Sequence, residues 1–214
     1  MATHGTRSEH SEARQLLSPG VAAPNRDVRG EILAAAVELF YRNGYQATGV
    51  KEIVDQAGYT KGALYHYFAS KEALLLEIHD VFMTYAIERG REIMASEMSA
   101  SEKLSAVMHE LIRQVDKYRP HMTVVLQETP FIDFKKYPEQ KSKRDEWEDM
   151  LVVIIEGGIS SGEFRGDLES ARVLSYGVSG MCVWSYHWMS HDGSMSIDDI
   201  SAAFSDVILR GLAA

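Results

Sequence analysis

The sequence of 214 residues predicts an all-α fold with about nine helices. Three observations support this prediction. Apolar residues recur at the i, i+3, i+4 spacing of one helix face over most of the chain. Ser, Thr or Asp stands before several of these segments, as helix N-caps do. We find neither the period-two alternation of a half-buried strand nor an internal repeat.

The N-terminal segment differs in composition from the rest of the chain. It is polar, includes Pro19 and Pro24, and has no apolar central segment of the kind found in a secretory signal. We therefore expect a flexible polar tail over residues 1–25, a smaller helical domain over 26–72 and a larger helical domain over 73–214.

Three helices are predicted in the smaller domain. The first runs from Asp27 to Asn43, where an Asn-Gly pair is a typical stop. Thr48 is expected to be the N-cap of a short helix that Gly58 ends. A second short helix begins near Thr60. Two short helices joined by a tight glycine turn predict a helix-turn-helix arrangement.

The larger domain has the pattern of consecutive amphipathic helices. Its last helix begins with a capping box, Ser196 followed three residues later by Asp199. An irregular stretch is expected around Pro130 and Pro138. The predicted helices run from Ser70 to about Ala95, from Ser101 to Pro120, from about Lys141 to Ile159, from Asp167 to about Ser190, and from Ser196 onward.

The helix predicted from Asp167 is apolar on nearly every side. Such a helix must be buried on every side. We expect one side to pack on its own subunit and the other on a second copy, with the last helix completing a four-helix dimer interface. The alternative is a central core helix in a monomer. The predicted interface residues are Val173, Tyr176, Gly177, Gly180, Met181, Trp184, Trp188, Ile200, Phe204, Val207 and Ile208.

Charge is distributed unevenly along the chain. The net charge is −9, yet residues 26–71 hold six basic and five acidic side chains and residues 1–25 are neutral, so the remainder carries −10. A near-neutral segment with placed bases therefore precedes a strongly acidic body. The total charge does not exclude DNA binding if the acidic body faces away from the DNA.

The second short helix, TKGALYHYF, carries its aromatic side chains on two faces. Leu64 and Phe68 lie together and can pack inward, while Lys61, Gly62 and Tyr65 can face outward. A helix that reads DNA needs this division, because its outer face must approach the bases and hold phosphates. A glycine also lets the backbone come close to the DNA. The second set of aromatic residues therefore predicts a recognition helix.

The segment YQATGVKEIVDQAGYTKGALYHYFASKEALL resembles the DNA-binding region of the TetR family of bacterial transcriptional repressors. The likeness extends from Asp27 to about Ile78. One departure is Gly49, where the family usually has Thr or Ser, which puts a phosphate contact there in doubt. The resemblance implies DNA contacts from Thr48, Lys51, Tyr59, Thr60, Lys61, Gly62, Tyr65, His66, Tyr67 and Lys71.

The resemblance also implies how the protein works. It implies a homodimer that binds a palindromic operator on double-stranded DNA and leaves it when a small hydrophobic effector binds the larger domain. We expect a cytoplasmic location, because a single cysteine fits a reducing compartment. The alternatives are an activator, a regulator that takes its signal from a protein, or a helical ligand-binding protein or enzyme with a vestigial DNA-binding head. We expect no catalytic residues, because neither paired carboxylates nor a nucleophile triad is evident.

The larger domain resembles a branch of the family that governs lipid or steroid breakdown and responds to acyl-CoA thioesters. The likeness rests on Trp184 and Trp188, on the Asp192-Gly193 pair and on the GEFRGDL turn. Independently, the segment KKYPEQKSKR over residues 135–144 has five basic residues and one acidic residue. An acyl-CoA joins an apolar tail to a polyanionic head, so it suits an apolar cavity with a basic mouth.

The predicted effector site combines that cavity with that mouth. Its apolar lining is expected to be Met108, Leu111, Met122, Val125, Leu126, Trp147, Leu151 and Ile154, and its basic residues Lys141, Lys143 and Arg144. The alternative is that the basic segment is simply a solvated helix start.

Other chemistries fit the sequence less well, and we expect neither a cofactor nor a metal. His187 and His191 have metal-ligand spacing with Asp192 next to them, but no further ligand is evident. The glycine-rich EGGISSGEFRG is preceded by no strand and has no Gly-Lys-Ser/Thr, so it is interpreted as a helix end and turn. The single cysteine, Cys182, excludes an internal disulfide and is expected to be a packing residue.

Overall fold

The computed structural model describes residues 27–128, 132, 135–168, 170–189 and 193–214, so the predicted tail lies outside the described residues. Within these ranges the chain forms nine α-helices and no strand, which confirms the all-α prediction. None of the described helices is long and apolar enough to cross a membrane. The helices are α1 Val28–Asn43, α2 Val50–Ala57, α3 Lys61–Tyr67, α4 Lys71–Met94, α5 Ala100–Lys117, α6 Arg119–Glu128, α7 Pro138–Ser161, α8 Ala171–Val183 and α9 Ile197–Leu212.

The described residues form two compact units. One unit holds α1 to α3, α4 as far as Phe82, and α6 from Pro120. The other holds α4 from Met83, α5 through Arg119, and α7 to α9. The predicted domain boundary between residues 72 and 73 stays a prediction.

The first unit is built on α1. The carboxylate of Asp27 accepts a hydrogen bond from the Gly30 N–H at 2.9 Å and so caps the helix. The helix ends at Asn43 and is followed by Gly44 with a φ of 81°. Helices α2 and α3 both contact α1 and each other. The buried side chains of α1 include those predicted from the periodicity, namely Ile32, Leu33, Ala36, Val37 and Phe40.

In the second unit, α5 is the central helix. It contacts α7, α8 and α9, and α8 also contacts α7 and α9. The side chains of α5 at helical spacing, from Leu104 to Val115, are buried. At the C-terminal end of α7, Gly158 is buried and Phe164, 2% exposed, folds back over it.

Two prolines lie at helix starts, where the sequence analysis did not predict them. Pro120 was expected to end a helix, but α5 ends at Lys117 and Pro120 lies in the first turn of α6. Pro138 was expected in an irregular stretch, but it is the first residue of α7. Both predictions are wrong for one reason: the first turn of a helix has no use for the missing N–H, so proline is tolerated there.

Two further helix starts differ from the prediction. Ser99, rather than Ser101, caps α5, and its own N–H donates to the Glu102 carboxylate at 2.8 Å. Ser170, rather than Asp167, caps α8 by accepting from the Val173 N–H at 3.3 Å. The capping box predicted at Ser196 is confirmed, because the Asp199 N–H donates to its hydroxyl at 3.1 Å.

The helix predicted to continue to Ser190 is shorter. Helix α8 ends at Val183, and one 3-10 turn follows over Trp184–His187. The guanidinium of Arg119 holds this turn by donating to the carbonyl oxygen of Tyr186 at 2.9 Å and to that of Met189. The 3-10 turn changes the direction in which Trp184 and the following residues point relative to α8.

Candidate functional site

The two short helices of the first unit are held by an apolar inner face. Ile53 and Val54 of α2 and Leu64 of α3 are buried, as is Phe68 directly after α3. Gly58 joins the helices with a φ of 75°, a conformation that side chains other than glycine rarely adopt. The orientation of α3 is therefore set by the packing of its buried side chains and by the turn at Gly58.

The outer face of α3 is exposed over its whole length. Lys61, Gly62, Tyr65, His66 and Tyr67 are all exposed, with Tyr65 at 52% and Tyr67 at 43%. The rings of His66 and Tyr67 lie edge to face, with centroids 4.8 Å apart. Five of the ten predicted DNA contacts therefore share one open surface with two phenol hydroxyls, an imidazole and an ammonium group.

Three predicted contact residues have partners within the protein. Lys51 Nζ lies 2.6 Å from Asp55 Oδ2, and this hydrogen bond raises the pKa of Lys51. The Tyr59 hydroxyl donates to Glu31 Oε2 at 2.6 Å, and Thr60 Oγ1 accepts from the Ala63 N–H at 3.2 Å. Tyr59 and Thr60 are thus used to position α3.

Thr48 does not have the predicted role. It is 1% exposed, and its hydroxyl donates towards the carbonyl oxygens of Gly44 at 2.9 Å and Leu39 at 3.3 Å. The N-cap of α2 is Gly49, whose N–H donates to Glu52 Oε2 at 2.7 Å. The prediction that Thr48 caps α2 is wrong, because the helix begins one residue later, after Gly49, and the Thr48 hydroxyl is bonded to carbonyl oxygens that precede α2. Burial also removes the Thr48 side chain from the outer surface.

Lys71 also has internal partners. Its ammonium group donates to the carbonyl oxygens of Tyr45 at 2.7 Å and Thr48 at 3.0 Å, and it lies 4.2 Å from the centroid of the Tyr45 ring. These carbonyl groups belong to the loop that leads into α2. The predicted phosphate contact of Lys71 is therefore in competition with a structural role in this loop.

Sequence reasoning missed the other partner of this loop, Glu128. The Tyr45 N–H donates to Glu128 Oε1 at 3.3 Å, and Glu128 is 9% exposed at the end of α6. The two residues are 83 positions apart, and neither the charge nor the spacing of Glu128 distinguishes it in the sequence. Tyr45 is thus held at its N–H by α6 and at its carbonyl by α4.

We expect the Lys71→Met variant to lower the free energy of unfolding by about 1–3 kcal/mol, because two carbonyl groups lose their charged donor. The measurement is urea denaturation followed by circular dichroism. Lys61→Met is the matched control, since Lys61 is exposed on the same unit. Equal stability of both variants would show that Lys71 has no structural role and would leave the predicted phosphate contact as its role.

The predicted effector residues fall in both compact units and are mostly buried. In the second unit Met108, Leu111, Trp147, Leu151 and Ile154 are buried. In the first unit the three residues from α6 are buried or half-buried, namely Met122, Val125 and Leu126. Because Met108 and Leu151 have no exposed surface, no water-sized space adjoins them, and an effector bound there would require side chains to move.

The basic residues predicted at the mouth already have partners. Lys141 pairs with Asp145 one helical turn on and lowers the pKa of that carboxyl group. Lys143 Nζ donates to Thr84 Oγ1 at 2.8 Å. Arg144 lines a surface groove of about 570 Å³ with Glu148, Asp149, Arg172 and Tyr176. Because the charge of Lys141 is neutralised by Asp145, this residue fits the alternative that the basic segment is a solvated helix start.

The α8–α9 surface of the second unit carries a concentration of exposed apolar side chains. Val173, Tyr176, Trp184, Trp188 and Val207 are each at least half exposed. Met181, Phe204 and Ile208 are half-buried, and a Cβ atom added at Gly177 or Gly180 would meet no atom within 4 Å. Ile200 is 3% exposed and belongs to the core of the second unit, so its assignment to the interface is wrong.

The remaining candidate groups do not form a chemical site in the described part of the chain. His191 and Asp192 lie outside the described residues, and those that are described contain no group of three metal-ligating side chains. Cys182 is buried, and burial raises the pKa of its thiol to about 12, as expected for a packing residue.

Comparison with protein families identifies both parts of the chain. Residues 32–78 match the model described as bacterial regulatory proteins, tetR family. Residues 97–212 match that described as tetracyclin repressor-like, C-terminal domain. The second match alone covers more than half of the chain. The match over residues 32–78 supports the resemblance of the DNA-binding region without any use of the site geometry.

Individual relatives are similar over most of their length. The HTH-type transcriptional repressor KstR2 of Rhodococcus jostii is 27% identical over 86% of this chain and 91% of the relative. The structure of PfmR from Thermus thermophilus is 30% identical, covers 86% of this chain and 99% of its own, and has a TM-score of 0.76. That of FadR from Bacillus subtilis with stearoyl-CoA is 25% identical over 85% and 98%, with a TM-score of 0.72.

Proposed function

Because the chain belongs to the TetR family of bacterial regulatory proteins, we propose that it is a homodimeric transcriptional repressor that an acyl-CoA thioester releases from a palindromic operator. The observation that carries the proposal is the division of α3 into a buried inner face and an exposed outer face. Leu64 and Phe68 anchor the helix, and Lys61, Tyr65 and Tyr67 are left for DNA.

The outer face of α3 has the groups that a major-groove reader needs. The phenol hydroxyls of Tyr65 and Tyr67 can donate to phosphate oxygens, and Lys61 adds a positive charge. A Cβ atom at Gly62 would have only Thr60 Oγ1 near it, at 3.7 Å, so the backbone is open to a close approach. Lys51 can exchange Asp55 for a phosphate, because this ion pair is exposed.

A palindromic operator requires two heads related by a two-fold axis, and the α8–α9 surface supports this arrangement. A two-fold interface uses the same patch on both subunits, so an exposed apolar surface with small residues is suitable. Gly177 and Gly180 allow helices to approach closely, while Trp184 and Trp188 supply large apolar areas. Leaving such a surface in water would be unfavourable for a monomer.

The choice of effector is supported by the bound stearoyl-CoA of FadR and by the composition of the second unit. The methionine and leucine side chains around α5 can rearrange to admit an acyl chain. Lys135 and Lys136 are exposed and can meet the anionic part of the thioester. The effector would then shift the population towards a state in which the two heads no longer fit successive grooves.

The test is selection of random DNA duplexes by the purified protein, repeated with a mixed pool of acyl-CoA thioesters. We expect enrichment of a palindrome, its loss in the presence of the pool, and an affinity for the selected duplex that falls steeply with salt. A palindrome that the pool does not affect would retain the repressor and reject the effector. Failure to enrich any sequence would contradict the proposal itself.

We expect Tyr65→Phe to weaken operator binding about fivefold, because one hydrogen bond to a phosphate is lost. The loss should be equal for operator variants and should leave the slope against salt unchanged, since no cation is removed. Tyr41→Phe is the matched control, because Tyr41 of α1 is similarly exposed. A loss that differs between operator variants would instead indicate that Tyr65 contacts a base.

A further inference from the structure

A polar cluster lies between α4 and α5 of the second unit, next to the apolar core. It consists of Tyr85 on α4 and Glu110, Arg113 and Gln114 on α5. Glu110 is 6% exposed and Gln114 is 1% exposed. Charged and amide side chains are rarely buried to this extent without hydrogen-bond partners, so a group in this cluster that lacks a partner requires an explanation.

The carboxylate of Glu110 is fully used. Arg113 Nε donates to one of its oxygen atoms at 2.9 Å and Nη2 to the other at 2.6 Å. Burial alone would raise the pKa of Glu110, but the bonds from Arg113 hold it below its ordinary value, so the group is an anion. Gln114 Nε2 donates to Glu110 Oε1 at 3.3 Å, and Arg113 Nη2 also donates to the Tyr85 hydroxyl.

One buried acceptor in this cluster, Gln114 Oε1, has no partner in the described residues. The hydroxyl oxygen of the half-buried Tyr85 accepts from Arg113, so its hydrogen can be donated to a group that approaches. The amide of Gln114 does not gain by turning over, because its oxygen would then face the Glu110 carboxylate and two acceptors would repel each other. The cluster therefore offers one acceptor and one donor.

We propose that Gln114 and Tyr85 bind a hydroxyl group of the effector, so that the preferred effector is an acyl-CoA thioester with a hydroxyl group on its acyl part. A hydroxyl can donate to Gln114 Oε1 and accept from the Tyr85 hydroxyl, whereas an unsubstituted acyl chain leaves the buried Gln114 oxygen unpaired. The inference rests on the proposed function, and it extends it from acyl-CoA thioesters in general to a hydroxylated class. Glu110 and Arg113 hold the two groups in place.

The experiment compares decanoyl-CoA with 3-hydroxydecanoyl-CoA and 10-hydroxydecanoyl-CoA by isothermal titration calorimetry of the full chain. We expect at least one hydroxylated thioester to bind wild type about tenfold more tightly than decanoyl-CoA. Gln114→Met, which keeps the side-chain volume, should abolish this preference while decanoyl-CoA binds as before. Tyr85→Phe should reduce the preference in the same way, and Gln127→Met, at an exposed position of α6, should retain it.

The thermal unfolding midpoint of the effector-free protein separates binding from structure. We expect Gln114→Met to change it little, because the variant removes an unpaired buried acceptor together with the longest bond to Glu110, at 3.3 Å, while both bonds from Arg113 remain. A drop of more than about 4 °C would overturn the inference in favour of a structural Gln114. Equal binding of all three thioesters to wild type would overturn it and leave the proposed function intact. Binding of none would overturn it together with the acyl-CoA effector, while operator selection would still test the repressor.

Discussion

Replacing Gly180 with arginine is expected to make the protein monomeric and to weaken operator binding at least about a hundredfold. Gly180 lies on the exposed side of α8, where an added Cβ atom meets no atom within 4 Å, so the protomer itself has room for the side chain. A second subunit packed on this face would clash with the arginine side chain. A single head keeps only half of the contacts and loses the gain from simultaneous binding.

The measurement is light scattering after gel filtration, with titration of the selected operator. Gly157→Arg is the matched control, since Gly157 is also an exposed helical glycine with open space at its Cβ but lies on α7. Both substitutions should keep the helical circular dichroism spectrum. A dimer that survives Gly180→Arg would contradict the α8–α9 interface and would show that the subunits associate through another surface.

A second large effect is expected at adjacent glycines of α7. Gly158→Ala should lower the free energy of unfolding by about 1–3 kcal/mol, whereas Gly157→Ala should raise it slightly. A Cβ atom at Gly158 would lie 2.2 Å from Phe164 Cδ2 and 2.8 Å from its Cγ, and the ring is buried and has no room to retreat. At Gly157 the added methyl group meets nothing and favours the helix.

Urea denaturation of the two variants checks this prediction directly. The pair is well matched, because the residues are neighbours in one helix and the substitution is the same. Equal stability of Gly158→Ala and Gly157→Ala would contradict the close contact between Phe164 and Gly158. The combined Gly158→Ala, Phe164→Leu variant should regain part of the loss, because the smaller side chain leaves space for the methyl group.

The interpretation of the glycine-rich segment EGGISSGEFRG as a helix end and turn is confirmed. Helix α7 ends at Ser161, close to the predicted Ile159, and Gly162 follows it with a φ of 80°. The sequence does not show why Gly158 stands inside the last turns of this helix. Glycine disfavours a helix by about 1 kcal/mol per residue, but the close contact with Phe164 needs a residue without a side chain. Tertiary packing outweighs the local preference here.

The DNA-binding part was predicted with more success than its individual contacts. The periodicity of α1, the turn at Gly58 and the division of α3 are local properties, so the order of residues is enough to find them. Thr48 and Lys71 were assigned to DNA by resemblance, but their polar groups bond to the backbone of the loop before α2. The partners of Thr48 are only four and nine residues away, but those of Lys71 are 26 and 23 residues away and depend on how α4 packs against this loop.

The sequence by itself determined the all-α class, the helix-turn-helix and the apolar stripe of α5, because helix periodicity, caps and glycine turns act within a few residues. Only the tertiary structure decided that Glu128 holds Tyr45, that Ile200 is buried in the core of its own unit, and that Gln114 is left with an oxygen unpaired in the described residues. These facts depend on contacts between distant segments. A linear pattern carries no record of such contacts, because burial and hydrogen-bond partners exist only after the helices have packed.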